Sequence, residues 1–245
     1  MARTHTRHAT PRTAAVWQVL SAELTRQRGR SLTVVDAGGG TGGFAVPLAE
    51  AGHQVTVVDA SPDALAALAR RAAEAGVSDR IRPVQGDGDR LADLLPTAGA
   101  DLVLCHSLLE VVDDPAEVVR AVAAILRPGG AASVLVANQV ATVLARAMAG
   151  HLDAAMAVLD DPRGRAGPAD TRRHRFPPGA VAALLAGAGL TVESVHGVRV
   201  LADLVPAAVA EAEAATLRQL EARLATQPPY RDIAAQQHLF ARRPR

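Results

Sequence analysis

An α/β fold built on a doubly wound, mainly parallel sheet is predicted by three features of the sequence. The segment Val34-Val35-Asp36-Ala37-Gly38-Gly39-Gly40-Thr41-Gly42 reads as a strand running into a glycine-rich turn. Short β-branched runs then alternate with alanine-rich stretches of helical period up to residue 137, the pattern of parallel strands joined by crossover helices. A second run, Val55-Thr56-Val57-Val58-Asp59, ends in an acidic residue. A glycine turn after one strand and an acid after the next is how such a sheet holds a nucleoside-containing ligand.

The elements follow in order. Ala14, Val16, Trp17, Leu20 and Leu24 recur at helical spacing, so a helix over 13–28 precedes the first strand and lies across the ligand mouth. Strands are expected at 32–36, 54–58, 81–85, 101–105 and 131–136. A helix over about 43–51 follows the glycine turn, and Ser61-Pro62-Asp63 starts the next one with proline in its first turn. After Ala137 the alternation breaks. Residues 139–159 read as one or two helices, and 160–178 as a loop rich in Gly, Pro and Arg that carries Arg163, Arg165, Arg172, Arg173 and Arg175. An insertion here overhangs the carboxyl ends of the strands, so 138–178 is read as a substrate-side cap. A helix at 178–188, a strand near 190–199, a long helix at about 206–225 and a strand at 233–241 bring the sheet to seven strands. One domain is expected: arm and helix (1–30), cofactor-binding half (31–137), cap (138–178) and C-terminal helices and strands (179–245).

Composition narrows the class. The 245 residues carry 26 basic and 25 acidic side chains, so only local charge clusters are informative. The longest apolar runs stop well short of the roughly 18 residues that span a bilayer. The N-terminus is basic and lacks a secretory apolar core, so a cytoplasmic location is the default. The single cysteine, Cys105, falls in an apolar strand and reads as core. No His, Cys, Asp or Glu set has metal-ligand spacing.

Glycines at 38, 40 and 42 let the main chain approach a ligand, and Asp59 is placed to accept the hydroxyl hydrogens of a ribose. Gly38, Gly40 and Gly43 also satisfy G-x-G-x-x-G, which keeps a nicotinamide- or flavin-dependent oxidoreductase open. Asp36, two residues before Gly38, argues against a dinucleotide, since a carboxylate gains nothing beside a pyrophosphate. Asp87, after the third strand, is the preferred acceptor for an adenine amino group.

The order D-x-G-x-G-x-G from Asp36, together with Asp101-Leu-Val-Leu-Cys-His-Ser-Leu-Leu-Glu-Val-Val-Asp-Asp-Pro and Leu126-Arg-Pro-Gly-Gly, resembles the class I methyltransferases over residues 31 to about 137. That resemblance implies a Rossmann-like seven-stranded sheet and S-adenosyl-L-methionine as cofactor, with Asp36 near its methionine ammonium. Further strings are similar to the tRNA 5-carboxymethoxyuridine methyltransferases, which esterify a carboxylate on a modified wobble uridine: 36–40, 51–55, 72–79, 106–110, 126–130, 197–200 and 228–230, with His238 in the last strand. The resemblance implies that Arg12 reaches the cofactor, Gly38 and Gly39 line it, Asp59 holds the ribose, Gly88 and Asp89 lie at the adenine edge and His106 closes the methyl-transfer side. It makes tRNA the expected partner. With aromatics at 2% of the chain, platforms for stacking bases are few, so a small-molecule acceptor stays open. A partner protein that binds the cofactor without turnover is a further alternative.

Methyl transfer from a sulfonium is an in-line displacement that demands alignment. A carboxylate acceptor, ionised above about pH 4, needs no general base. It needs a positioning cation, for which Arg199 is the first candidate and Arg146 the second. His106 would be a base for a hydroxyl or amine, and a wall or hydrogen-bond donor for a carboxylate. Glu110 is expected to orient rather than catalyse. The arginines at 172–175 could bind phosphates.

Overall fold

The computed structural model describes residues 13–27, 29–167 and 170–245. Seven strands form one sheet: β1 (Thr33–Ala37), β2 (Gln54–Asp59), β3 (Ile81–Gln85), β4 (Ala100–His106), β5 (Leu126–Ala137), β6 (Thr191–Val198) and β7 (Gln236–Arg242). Their spatial order is β3-β2-β1-β4-β5-β7-β6, with β7 antiparallel to both neighbours. The winding direction reverses between β1 and β4. At such a switch point an open α/β sheet leaves a crevice beyond its strand ends.

Helices cover both faces, and alternation along the central strand divides the core. Val103 and Cys105 of β4 face α4 (Leu91–Leu94), α5 (Pro115–Ile125) and α8 (Ala180–Gly187), with Val118, Val122, Val181 and Leu185 buried among them. Leu102 and Leu104 face the opposite way, toward α1 (Ala14–Arg26), α2 (Ala45–Glu50) and α3 (Pro62–Glu74), with Trp17, Leu20, Leu48 and Leu68. Buried on both sides, β4 needs the unbroken apolar run that its sequence shows. Cys105 is core as expected, its thiol pushed up to about 12 by burial and by nearby Asp36. Ser61 caps α3 by accepting the Ala64 N–H, and Asp114 caps α5 by accepting from Ala116 and Glu117. No helix among the described residues is long and apolar enough to cross a membrane.

Three expected boundaries change. The fifth strand begins at Leu126, since Arg127 to Gly130 form a bulge between the pairs Ala100–Leu126 and Leu102–Ala131. The last strand begins at Gln236 because Tyr230–Ile233 form a short 3-10 turn. The long helix expected at 206–225 is two helices, α9 (Ala207–Ala212) and α10 (Ala214–Leu224), hinged at Glu213 with φ −108° and ψ 28°. Residues 207–224 bury little apart from Leu217, so packing does not force the alanine-rich run to stay straight.

The segment 138–178, expected as a cap, forms α6 (Gln139–Met148) and α7 (Leu152–Asp160), followed by an arginine-rich loop. Glu110, only 2% exposed, ties that loop down. Its carboxylate accepts the Ala137 N–H at 2.7 Å and Arg172 Nε at 2.7 Å, and its carbonyl accepts the N–H groups of Arg173 and His174. Asn138 caps α6 through the Val140 N–H and donates to the carbonyls of Asp232 and Ala234, fixing the cap to the chain before β7. Arg172 pairs with Glu110, Arg173 with Asp113 and Arg175 with Asp170. Arg175 and Asp170 form a buried pair, while Arg172 and Arg173 keep about half of their side-chain surface exposed. Replacing Glu110 by Ala is expected to speed tryptic cleavage within residues 163–175 while the rest of the chain stays protected. Unchanged cleavage would show that another contact anchors the loop.

Candidate active site

A cavity of about 430 Å³ opens at the carboxyl ends of β1, β2 and β4, within the size range of small-molecule sites. Gly38, Asp59, Asp87, Gly88 and Asp89 line it, together with Ser107, Leu108, Val112, Asp113 and Arg173. The structure thus gathers five of the expected residues around one cavity. Gly39 and Gly40 continue the same turn, and Arg12 lies outside the described residues.

The turn is shaped by what cannot fit. A Cβ on Gly39 would stand 2.5 Å from the Asp36 carboxyl carbon and 2.9 Å from Val57, so any larger residue would have to push the buried acid aside. Gly38 has φ +70°, and a Cβ there would crowd Leu108 at 3.2 Å. Gly40 donates its N–H to Asp59 Oδ2 at 2.8 Å, while Ser61 donates to Oδ1 at 2.9 Å. A carboxylate oxygen can accept two hydrogen bonds, and each oxygen of Asp59 accepts one here, so both keep a lone pair for a further donor. Asp36 lies beneath the turn and is 2% exposed. Burial first, and the charge of Asp59 second, raise its carboxyl to about 7.

Asp87 and Asp89, both expected at an adenine edge, differ in their surroundings. Asp87 is exposed, whereas Oδ1 of Asp89 is buried and has no hydrogen-bond partner among the described residues, an acceptor awaiting a donor. Leu108 had no motif to mark it. It packs against the positions of both Gly38 and Gly88 and so faces the crevice between the first and third βα turns. Its neighbour Ser107 has φ +57°, the kind of strained backbone that clusters at binding sites.

His106 is the last residue of β4, one position earlier relative to the strand than expected. Its ring is edge-on to Phe44 at 4.6 Å, and Phe44 stacks on Trp17 of α1 at 5.1 Å, which brings the N-terminal helix to the site. Burial lowers the His106 imidazole to about 3, so it is neutral at physiological pH. Arg199 is not on the cavity wall. It follows β6, the outermost strand, three strand spacings or roughly 14 Å from β4. There it has φ +59° and pairs with Asp203 at 3.5 Å. Arg173 is the arginine that the fold brings to the cavity, and sequence alone had placed it in a loop cluster. Among the described residues no group of His, Cys, Asp or Glu is arranged to hold a metal.

Asp36 gives this site a pH signature. A carboxyl raised in the folded state favours folding below its ordinary range near pH 4, and that contribution is lost as pH rises through about 7. In the ligand-free protein, the thermal midpoint is expected to fall between about pH 5 and 8 more steeply than in Asp36→Asn. Parallel pH curves for the two proteins would contradict the burial assigned to Asp36.

Comparison with known proteins agrees with this geometry. A family model described as a methyltransferase domain matches residues 34–130. The chain is 34% identical over 235 residues to the tRNA 5-carboxymethoxyuridine methyltransferase of Escherichia coli K12, covering 95% of this chain and 88% of that protein. It is 33% identical to a ubiquinone biosynthesis O-methyltransferase of Xanthomonas axonopodis pv. citri over 67% of this chain and 64% of the other. A solved S-adenosylmethionine-dependent methyltransferase from Mesorhizobium loti superposes with a TM-score of 0.66 at 23% identity, covering 96% of this chain and 100% of that one. The oxidoreductase alternative is set aside by these findings. With its sheet order, glycine turn and near-full-length similarity, the chain belongs to the class I S-adenosylmethionine-dependent methyltransferases, in the family of the tRNA 5-carboxymethoxyuridine methyltransferases.

Proposed function

We propose that the protein transfers the methyl group of S-adenosylmethionine to a carboxylate on a modified wobble uridine of tRNA, forming an ester. The observation that carries this reading is the extent of the similarity. It runs over 95% of the chain to the tRNA enzyme, through the cap and the C-terminal strands, but over only 67% to the ubiquinone-pathway enzyme. The acceptor approaches over the cap, so likeness there bears on substrate more than likeness in the cofactor half does.

The residues present suit the cofactor. Asp59 would accept the ribose hydroxyls, Asp89 the adenine amino hydrogens with Gly88 beside it, and Leu108 would supply an apolar wall. The turn Gly38–Gly40 would pass under the methionine portion, whose ammonium would lie near Asp36. When bound, the cofactor supplies an electrophilic methyl carbon on a positively charged sulfur. A cation near Asp36 stabilises its carboxylate form, so cofactor affinity is expected to weaken as pH falls below about 7.

His106, neutral and with an imidazole lowered to about 3, is too weak a base to deprotonate a hydroxyl or amine efficiently. A carboxylate acceptor asks for no such step, and catalysis reduces to aligning acceptor oxygen, methyl carbon and sulfur. Arg146, in the last turn of α6, and Arg199, farther out beyond β6, are the arginines proposed to steer the acceptor.

The test is transfer of labelled methyl from S-adenosylmethionine to total tRNA of the source cells, followed by mild alkali. Label that enters tRNA and is released by alkali is the expected result. Label retained after alkali, or none incorporated by protein that binds the cofactor, would overturn the carboxylate reading and turn the search to small-molecule acceptors.

A further inference from the structure

A polar row crosses the sheet beneath the site. His106 on β4 pairs in register with Leu135 on β5, Leu135 with His238 on β7, and His238 with His196 on β6. Directly paired residues share a face of the sheet, and Ser133, two residues before Leu135, shares it too. The Ser133 hydroxyl oxygen lies 2.9 Å from Nε2 of His106 and 2.8 Å from Nε2 of His238. Ser133 and His238 are fully buried. The Nδ1 atoms of both histidines are buried and have no hydrogen-bond partner among the described residues. Burial holds both imidazoles neutral.

Counting hydrogens restricts what this row can be. The hydroxyl has one hydrogen to share between two short contacts, and each neutral imidazole has one N–H. If both rings donated to Ser133, the serine hydrogen would be buried without an acceptor. If both rings only accepted, one contact would have no hydrogen at all. One ring therefore donates through Nε2 to Ser133, and Ser133 donates to Nε2 of the other ring, which carries its own hydrogen on Nδ1. A buried N–H without an acceptor is rarer than an unused acceptor lone pair, so the Nδ1 hydrogen belongs where a ligand can meet it. His238 is enclosed between the rings of His106 and His196, with centroids 6.1 and 5.7 Å away. His106 ends β4, next to cavity-lining Ser107.

We infer that Ser133 and His238 are positioning residues that hold His106 as its Nδ1-protonated tautomer, a neutral hydrogen-bond donor presented to the bound acceptor or cofactor. The relay runs from His238 Nε2–H to the Ser133 oxygen, and from the Ser133 hydroxyl to His106 Nε2. It gives a buried serine and a buried histidine a reason to occupy sheet positions that aliphatic residues would fill more cheaply. The inference rests on the reading of the β4 edge as the methyl-transfer side.

The test is long-range proton–nitrogen NMR correlation on the full-length labelled protein, which reports the tautomer of each ring without substrate. His106 is expected to be protonated at Nδ1 and His238 at Nε2. Ser133→Ala is expected to abolish the Nδ1-protonated pattern of His106, while His196→Gln, outside the hydrogen-bonded trio, is expected to preserve it. His106 protonated at Nε2 in the parent protein, or an unaltered His106 pattern in Ser133→Ala, would overturn the inference. Should Ser133→Ala fail to fold, the tautomers of the parent protein decide the question alone. Failure of tRNA methylation would leave these signals unchanged, so the two readings fail separately.

Discussion

The crowding of Asp36 beneath Gly39 is the constraint on which the rest of the site depends. A carboxyl sealed under a backbone turn leaves no room for a side chain above it, and this sets the path of residues 38–40. That path puts the Gly40 N–H on Asp59, which orients the acid at the end of the neighbouring strand. Two strands, one turn and two carboxyls are thus positioned together. Burying an ionisable group without a partner carries a cost, which the protein meets by keeping Asp36 close to half-protonated near neutral pH. A cationic ligand would relieve that cost, so under the proposed placement of the cofactor its binding and the protonation of this acid are linked.

The segment after β5 depends on a second buried carboxylate used in the opposite way. Glu110 is fully engaged, by Arg172 and by main-chain N–H donors, and it fastens the cap loop to the end of β5. One acid therefore stays poised for a ligand while the other is spent on architecture. The distinction comes from partners supplied by residues 137 and 172, not from the residue type. His106 stands between these regions, at the end of the strand where the sheet changes its winding direction. Its neutrality suits a reaction in which alignment matters and proton transfer does not.

Much of this was legible in the sequence because it resides in backbone requirements. The glycine turn, the acid at position 59, the capped start of α3 and the apolar run of β4 each state a local constraint that one segment satisfies alone. What was not legible depends on pairing across long separations. Nothing near Arg172 announces that Glu110, 62 residues away, will pair with it. The difference between Asp89 and Asp87 lies in one buried, unpartnered oxygen of Asp89. That Arg199 lies beyond an edge strand follows from the strand order, which its local string does not state. The row from His106 through Ser133 to His238 exists only in the register of three strands, two of which lie far apart in the chain. The hinge at Glu213 reflects absent packing, which helical propensity cannot report.

Calorimetric titration of S-adenosylmethionine into the parent protein and into Gly39→Ala, with circular dichroism confirming the fold of both, tests the central claim most directly. A methyl group that displaces the buried Asp36 carboxyl is expected to weaken cofactor binding at least about a hundredfold, or roughly 2.7 kcal/mol. Equal affinity in a folded Gly39→Ala protein would contradict the account, because the turn and its buried acid would then not be what holds the cofactor.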